Sequence, residues 1–198
     1  MTVESEYIVV KKEAKLARVI LNRSPANSYF NEFLQALHHT FIHLETDETI
    51  KVVVIQSGID KFFCAGADIK IFAANSVDEN KAMVVTARKV ARCISESKKI
   101  YVAAIQGHML GGGLELAMAC DIRLAAEGSY LIGLPEIKLG QMPGNGGAVR
   151  LVQLLGKNRA AELLLTGDSI TPGKAFEYGL FNHLFQAAIF EDEVDSYV

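Results

Sequence analysis

The stretch GHMLGGGLELAMACD, residues 107–121, decides how this chain is interpreted. Three consecutive glycines lead into an apolar segment with a helical pattern, and that segment carries a single carboxylate, Glu115. Burying an ionised carboxylate among leucine, alanine and methionine is costly unless it is paired or hydrogen bonded. The stretch therefore predicts one of two arrangements. Either the Glu115 side chain points to water, or Glu115 is a functional carboxylate in a pocket that excludes water.

A second stretch of the chain has the same plan. Both VVVIQSG (52–58) and KIYVAAIQG (99–107) are typical of strands buried in a parallel sheet, and small residues follow each of them. The carboxyl ends of parallel strands meet at one edge of a sheet, where ligands bind. A helix start offers free N–H groups there, and glycine allows close approach to the backbone. Two amides converging on one oxygen would form an oxyanion hole; alternatively, glycines 111–113 only permit close packing of helix on sheet.

A second acid, Glu136, follows a proline in the irregular segment LPEIKLGQMPGNGG (134–147). Glu115 lies in the first helical turn, where the helix start favours negative charge, but its apolar neighbours raise its pKa. Two carboxylates in different environments can divide the roles of general acid and general base. The alternative is that Glu115 only caps the helix and that Glu136 is an acid in a surface loop.

Strands alternate with helices along the rest of the chain, which indicates an α/β domain. A β-hairpin is predicted over YIVVKKEAKLARVIL (7–21), a third buried strand over DIRLAA (121–126), and Ser76 or Asp78 is the expected N-cap of a long amphipathic helix. Helices are predicted over residues 31–47, 69–75, 76–97, 148–156, 157–167 and 171–179.

Composition excludes several classes of protein. The 198 residues fit one domain, 1–198, with 50% hydrophobic residues and a net charge of −3, so no positive field attracts nucleic acid or an acidic membrane. No apolar run approaches the length of a membrane span, and the N-terminus has no secretory pattern, so we expect a cytoplasmic protein. Cys64, Cys93 and Cys120 are widely spaced, which indicates reduced thiols. The sequence contains no glycine-rich nucleotide-binding loop, no GxSxG motif of a serine hydrolase and no HExxH motif of a zinc site.

Three blocks in order, FFCAGADIK, GHMLGGGLELAMACDIRLA and LPEIKLGQMPGNGGAVRL, resemble the crotonase superfamily, in particular enoyl-CoA hydratases. The likeness runs from ARVILNRSPANS to ELLLTGDSITPGKAFEYGL, nearly the whole chain. It implies a crotonase-like ββα-spiral fold and an enzyme of fatty acid metabolism that assembles as a homotrimer or a dimer of trimers. Such proteins continue with several helices, so residues 180–198 are expected to start a C-terminal helical region that is cut short.

The resemblance also implies roles for individual residues. The backbone amides of Ala67 and Gly112 would hold the thioester oxygen of an acyl-CoA, Glu115 and Glu136 would be the catalytic acids, and Gly144 would help to hold the reacting water. Further positions that match acyl-CoA-binding stretches are Ala26, Ala65, Asp68, Ile69, Lys70, Gly111 and Pro135. An apolar tunnel is expected from Phe72, Ala73 and residues 84–87. Coenzyme A is then part of the substrate, and no cofactor or metal is expected.

The chemistry expected is addition of water to a 2-enoyl thioester, with Leu114, Leu116 and Met142 keeping one acid dry and protonated. The acids are 136 − 115 = 21 residues apart, about one more than the resemblance leads us to expect, which could displace Glu136. Alternatives are a Δ3,Δ2-enoyl-CoA isomerase, which needs one carboxylate, a hydrolase or decarboxylase on the same scaffold, and a catalytically silent assembly subunit.

A different class of function is RNA binding through a basic helix. Cationic side chains recur at near-heptad spacing on the long predicted helix, as they do in some hydratase-like proteins that bind RNA. The residues are Lys81, Arg88, Arg92 and Lys99. Because acids dilute this stripe, a solvated helix face is the favoured interpretation, and a nucleic acid partner is not expected.

Overall fold

Two β-sheets organise the computed structural model, which describes residues 5–198. The strands are β1 (Ile8–Glu13), β2 (Leu16–Leu21), β3 (Val52–Ser57), β4 (Phe62–Cys64), β5 (Ile100–Ile105), β6 (His108–Leu110), β7 (Ile122–Ala126), β8 (Ile132–Gly133) and β9 (His183–Phe185). The larger sheet has the order β1-β2-β3-β5-β7-β9 and the smaller one β4-β6-β8. Only β1 and β2 pair antiparallel, as the predicted hairpin, and every other neighbouring pair in these sheets is parallel.

Eight α-helices connect and cover these strands within the described part of the chain. They are α1 (Asn31–Thr46), α2 (Ile69–Ala74), α3 (Val77–Ser95), α4 (Gly112–Ala119), α5 (Gly147–Leu155), α6 (Lys157–Thr166), α7 (Pro172–Glu177) and α8 (Phe190–Tyr197). Short 3-10 helices cover Pro135–Leu139 and Ala187–Ile189. Ser76, not Asp78, caps α3: its hydroxyl accepts from the Glu79 N–H, and the Glu79 carboxylate accepts from the Ser76 N–H. This reciprocal pair satisfies two donors that a helix start otherwise leaves free.

The two strand–loop–helix stretches are adjacent, as expected, but each contains an extra short strand. β3 pairs with β5 in parallel, so both chains leave the larger sheet at the same edge. They continue into β4 and β6, which pair in the smaller sheet before α2 and α4 begin. The sequence did not reveal β4, β6, β8 or β9, because strands of two or three residues are too short to show a period.

The core lies on both faces of the larger sheet. On one face the helices bury Phe33 and Phe41 against the sheet, and Phe41 meets Tyr101 edge to face. On the other face, Phe190 and Val194 of α8 pack with side chains of β3, β5 and β7. Within residues 180–198, β9 therefore joins the sheet before α8 covers its far side. None of the helices within residues 5–198 is long and apolar enough to cross a membrane.

Candidate active site

A cavity of about 530 Å³ opens where the two strand–loop–helix stretches meet. Most residues that the resemblance singled out line it, although they come from three separate parts of the chain. These are Ala65, Ala67, Ile69, Gly111, Gly112, Glu115, Pro135, Glu136 and Gly144. Its apolar wall includes Phe72, Ala73, Val84 and Ala87, as expected, together with Met83 and Leu139. Val85 and Thr86 do not belong to this wall.

Three of the predicted acyl-CoA-binding residues lie outside the lining. Asp68 is the N-cap of α2 and forms an ion pair with Arg23, 3.0 Å between Nη2 and Oδ2. Ala26 supports the lining from behind, because its carbonyl accepts from the Ala65 N–H at 3.0 Å. Lys70 is exposed on α2. These residues shape the entrance loop, and their contact with a ligand stays a prediction.

Two backbone N–H groups at the cavity, those of Ala67 and Gly112, have no acceptor within residues 5–198. Gly112 is the first residue of α4, so its N–H cannot bond within the helix. Ala67 follows Gly66, whose φ of +83° brings the two loops together: a Cβ on Gly66 would lie 2.9 Å from the Gly112 nitrogen. The two free donors thus belong to loops that touch at the cavity, and an oxyanion hole needs two such donors aimed at one oxygen.

Glu115 is 2% exposed, yet one of its oxygens is well hydrogen bonded. Oε1 accepts from the N–H groups of Asn145 at 2.7 Å and Gly147 at 2.8 Å, while Oε2 accepts from no residue of the described chain. Burial raises the pKa of this carboxyl, and the hydrogen bonds from Gly147 and Asn145 oppose that rise. The two hydrogen bonds thus favour the ionised form of a carboxylate that lines the cavity.

Glu136, at the start of the 3-10 helix, is placed differently. Its Oε2 is buried without a hydrogen-bond partner, and burial together with the smaller effect of the charge of Glu115 raises the pKa of Glu136 to about 7. The extra residue of spacing has not moved it out of the cavity, because a Cβ on Gly111 would lie 3.1 Å from Glu136 Oε1. With this pKa, about half of the molecules carry a proton on Glu136 at neutral pH, which suits a general acid.

Two guanidinium groups hold the loop that binds Glu115 from its other side. Arg88 Nε donates to the Gly144 carbonyl at 2.8 Å, and Arg150 Nη1 donates to the Asn145 carbonyl at 2.7 Å. The sequence predicts Arg88 as part of a basic stripe, and no pattern in it marks Arg150. Because these carbonyls belong to the loop whose N–H groups bind Glu115, both arginines fix the position of that carboxylate.

The other cations of the stripe also have local partners. Lys81 pairs with Asp78 and Arg92 pairs with Glu96 on the exposed side of α3. Lys99 Nζ donates to two backbone carbonyls, at 2.7 and 2.8 Å, at the end of α1 and before β3. Each of the four cations of the stripe is therefore bonded within the fold, and the absence of a nucleic acid partner stays a prediction.

Several polar residues of the cavity were missed from the sequence, among them Tyr29 and Asn145. Asn145 Nδ2 donates to the Tyr29 hydroxyl at 3.1 Å, across 116 residues of chain. The position of Asn145 beside Gly144 could have drawn attention to it, but nothing in the local sequence marks Tyr29. Met142, expected to keep the acids dry, lines the cavity but is 77% exposed, whereas Leu114 and Leu116 are buried and do not belong to the cavity lining.

Cysteine and metal chemistry have no support at this cavity. The Cys64 thiol is fully buried, its pKa is raised to about 12 by burial, and it donates to the Asn27 carbonyl at 3.1 Å. A thiol in that state packs and does not act as a nucleophile. Residues 5–198 contain no cluster of three histidine, cysteine, aspartate or glutamate side chains that could hold a metal ion.

Comparison with known proteins gives one family. The family described as Enoyl-CoA hydratase/isomerase matches residues 11–197. Crotonyl-CoA hydratase of Syntrophomonas wolfei is 38% identical over 182 residues, and the match covers 91% of this chain and 70% of that protein. Short-chain-enoyl-CoA hydratase of Clostridium acetobutylicum is 34% identical, with 92% and 70% covered.

Solved structures agree with this result. The crystal structure of enoyl-CoA hydratase from Bacillus anthracis superposes with a TM-score of 0.93 at 34% identity, covering 97% of this chain and 75% of that one. At this level of similarity the fold expected from the three sequence blocks is confirmed. About a quarter to a third of the length of these relatives has no counterpart in this chain.

Proposed function

Because the chain belongs to the enoyl-CoA hydratase/isomerase family, we propose that it is an enoyl-CoA hydratase, which adds water across the C2–C3 double bond of a 2-enoyl-CoA thioester. A short acyl chain, as in crotonyl-CoA, is the proposed substrate, by analogy with the relatives from Syntrophomonas and Clostridium. The observation that carries the proposal is the meeting of two unbonded backbone amides, the buried carboxylate of Glu115 and the half-buried carboxylate of Glu136 at one cavity.

The amides of Ala67 and Gly112 would bind the thioester oxygen. Negative charge develops on this oxygen as water attacks C3, because the electrons of the double bond move towards the carbonyl. Donors that are already in place stabilise such charge, and loss of one typically costs about 100- to 1000-fold in rate. The oxyanion hole thus accounts for activation of the thioester.

The two carboxylates would divide the proton transfers. Glu115, ionised and with Oε2 free, takes a proton from water as the water oxygen bonds to C3, and the backbone of Gly144 would help to hold that water. Glu136, protonated, gives its proton to C2. One O–H bond of water and the C2–C3 π bond are broken, and C3–O and C2–H bonds form. Proton exchange with solvent then restores both acids, and no redox step is involved.

The test is the loss of ultraviolet absorbance of crotonyl-CoA on hydration, followed with the purified chain. We expect turnover, with 3-hydroxyacyl-CoA as the product. A matched assay with a 3-enoyl-CoA separates hydration from double-bond isomerisation, since only an isomerase creates the absorbing 2-enoyl thioester from that substrate. Isomerisation without hydration, or the absence of any turnover, would contradict the proposal, and the second outcome would favour an assembly subunit.

A further inference from the structure

Tyr29 contacts three separate parts of the candidate site. Its backbone N–H donates to the Gly66 carbonyl and its carbonyl accepts from the Asp68 N–H, both at 2.8 Å. These bonds form an isolated parallel bridge centred on Ala67. Ala67, which lies between Gly66 and Asp68, is therefore fixed in position while its own N–H stays free. In the proposed reaction, this N–H is the first of the two oxyanion donors.

The side chain of Tyr29 reaches the second donor. A Cβ built on Gly112 would lie only 1.8 Å from the Tyr29 hydroxyl oxygen, so the hydroxyl occupies the space beside Gly112 that a larger residue would need. The ring is 8% exposed, and any shift of the hydroxyl presses on the start of α4. Contact at van der Waals distance in a dense interior transmits such shifts.

The hydroxyl also reaches the loop that holds Glu115. It accepts from Asn145 Nδ2 at 3.1 Å, and the backbone N–H of that asparagine donates to Glu115 Oε1 at 2.7 Å. The hydroxyl itself stays neutral, because burial raises the pKa of Tyr29 and the negative charge of Glu115 raises it further. Tyr29 thus offers a neutral dipole at a fixed place.

We propose that Tyr29 is a positioning residue that sets the spacing between the two oxyanion amides and the Glu115 carboxylate. The inference rests on the proposed hydratase function and adds a residue to it. Burying a hydroxyl costs free energy unless it is bonded, so a phenylalanine would serve if the ring were needed only for packing. Displacement of reacting groups by about 1 Å can cost about 100-fold in rate. The Tyr29 hydroxyl contacts both Gly112 and Asn145, so it is well placed to prevent such a displacement.

The experiment compares Tyr29→Phe with Tyr130→Phe. Tyr130 is a matched control, since it is 7% exposed and its hydroxyl donates to the Ala126 carbonyl at 2.6 Å, away from the cavity. With crotonyl-CoA we expect Tyr29→Phe to lower kcat about 10-fold with less than about a 2-fold change in KM. Tyr130→Phe should change neither constant, and thermal unfolding of both variants will show whether any loss reflects stability alone.

The Asn145→Ala variant and the double variant that combines it with Tyr29→Phe supply a second measurement. A loss of packing alone would not change its result. The side chain of Asn145 lowers the pKa of Glu115, so its removal should shift the acidic limb of the kcat/KM profile to higher pH. If Tyr29 acts through Asn145, Tyr29→Phe should add little to Asn145→Ala, whereas independent effects would multiply.

The possible failures are distinguishable. A wild-type chain without hydratase activity would overturn the proposed function and this inference with it. An active wild type with an unchanged kcat in Tyr29→Phe would overturn the inference alone. A loss in Tyr29→Phe that multiplies fully with that of Asn145→Ala would also overturn it, because the connection between the two halves would then be absent.

Discussion

Glu115 and Glu136 carry the same side chain and both lie at the cavity, but only Glu115 accepts two hydrogen bonds from N–H groups of the loop that leads into α5. Two backbone N–H groups bond one oxygen of Glu115, whereas an oxygen of Glu136 is buried without any partner. Burial alone raises the pKa of a carboxyl, and donors to the ionised form oppose that rise. The difference teaches that loop amides, more than depth of burial, decide which acid is the base.

The largest expected effect comes from exchanging the acids for amides one at a time. Glu115→Gln should lower kcat about 1000-fold, because the amide nitrogen would take the place of the free Oε2 and cannot accept a proton from water. Glu136→Gln should lower it about 100-fold. Steady-state kinetics with crotonyl-CoA measures both, with the exposed Glu162→Gln as the unaffected control. A larger loss at position 136 would reverse the assignment of acid and base.

A smaller effect is expected from moving the donors without touching the acid. A Cβ on Gly147 would lie 2.8 Å from Glu115 Oε1 and 2.9 Å from the Pro143 Cβ, so Gly147→Ala must push the loop and the carboxylate apart. We expect kcat to fall about 30-fold. Gly173→Ala is the control, because a Cβ there meets nothing within 4 Å. If Gly147→Ala keeps full activity, the two bonds to Glu115 do not matter.

The pH profile tests the other side of the comparison. Since Glu136 must be protonated and its pKa is raised to about 7, kcat/KM should fall about 10-fold per pH unit well above pH 7 as this proton is lost. The residual activity of Glu136→Gln should lack that basic limb. A basic limb that persists unchanged in this variant would assign it to another group.

The smallest effect is expected on the outer side of the loop. Arg88→Ala removes the bond to the Gly144 carbonyl and should lower kcat about 3-fold, through a weaker hold on Glu115. Lys89→Ala, a neighbouring exposed cation on α3, is the control. Rates at several pH values would show a shift of the acidic limb in the first variant only; equal profiles would mean that Arg88 has no influence on Glu115.

The sequence predicted those elements of the fold that have a clear local pattern. These are the β-branched run of β3, the Ser76 cap of α3 and the glycines at the start of α4. The three blocks that resemble the family predicted that both acids lie at one cavity. The short strands of the smaller sheet were not predicted, because two or three residues show no period.

The rest of the site depends on contacts that no local pattern encodes. Tyr29 and Asn145 are far apart in the chain, and their hydrogen bond exists only because the β-bridge at Ala67 and the loop before α5 are brought together by the whole fold. For the same reason, the sequence indicates only that Arg88 belongs to a charged helix face. The spacing of the cations along α3 predicts correctly that Arg88 is exposed, but it does not predict the hydrogen bond from Arg88 to the Gly144 carbonyl. Assembly into trimers stays a prediction.

The carbonyl that Arg88 bonds and the N–H that Asn145 gives to Glu115 belong to the same peptide unit. A cation that pulls electron density from such an oxygen makes the nitrogen at its opposite end a stronger donor, because the unit is conjugated. A guanidinium in contact with solvent therefore acts on a buried proton acceptor through one amide plane. Amino-acid exchange on the outside of α3 can thus tune the basicity of this acceptor while every cavity-lining atom stays the same.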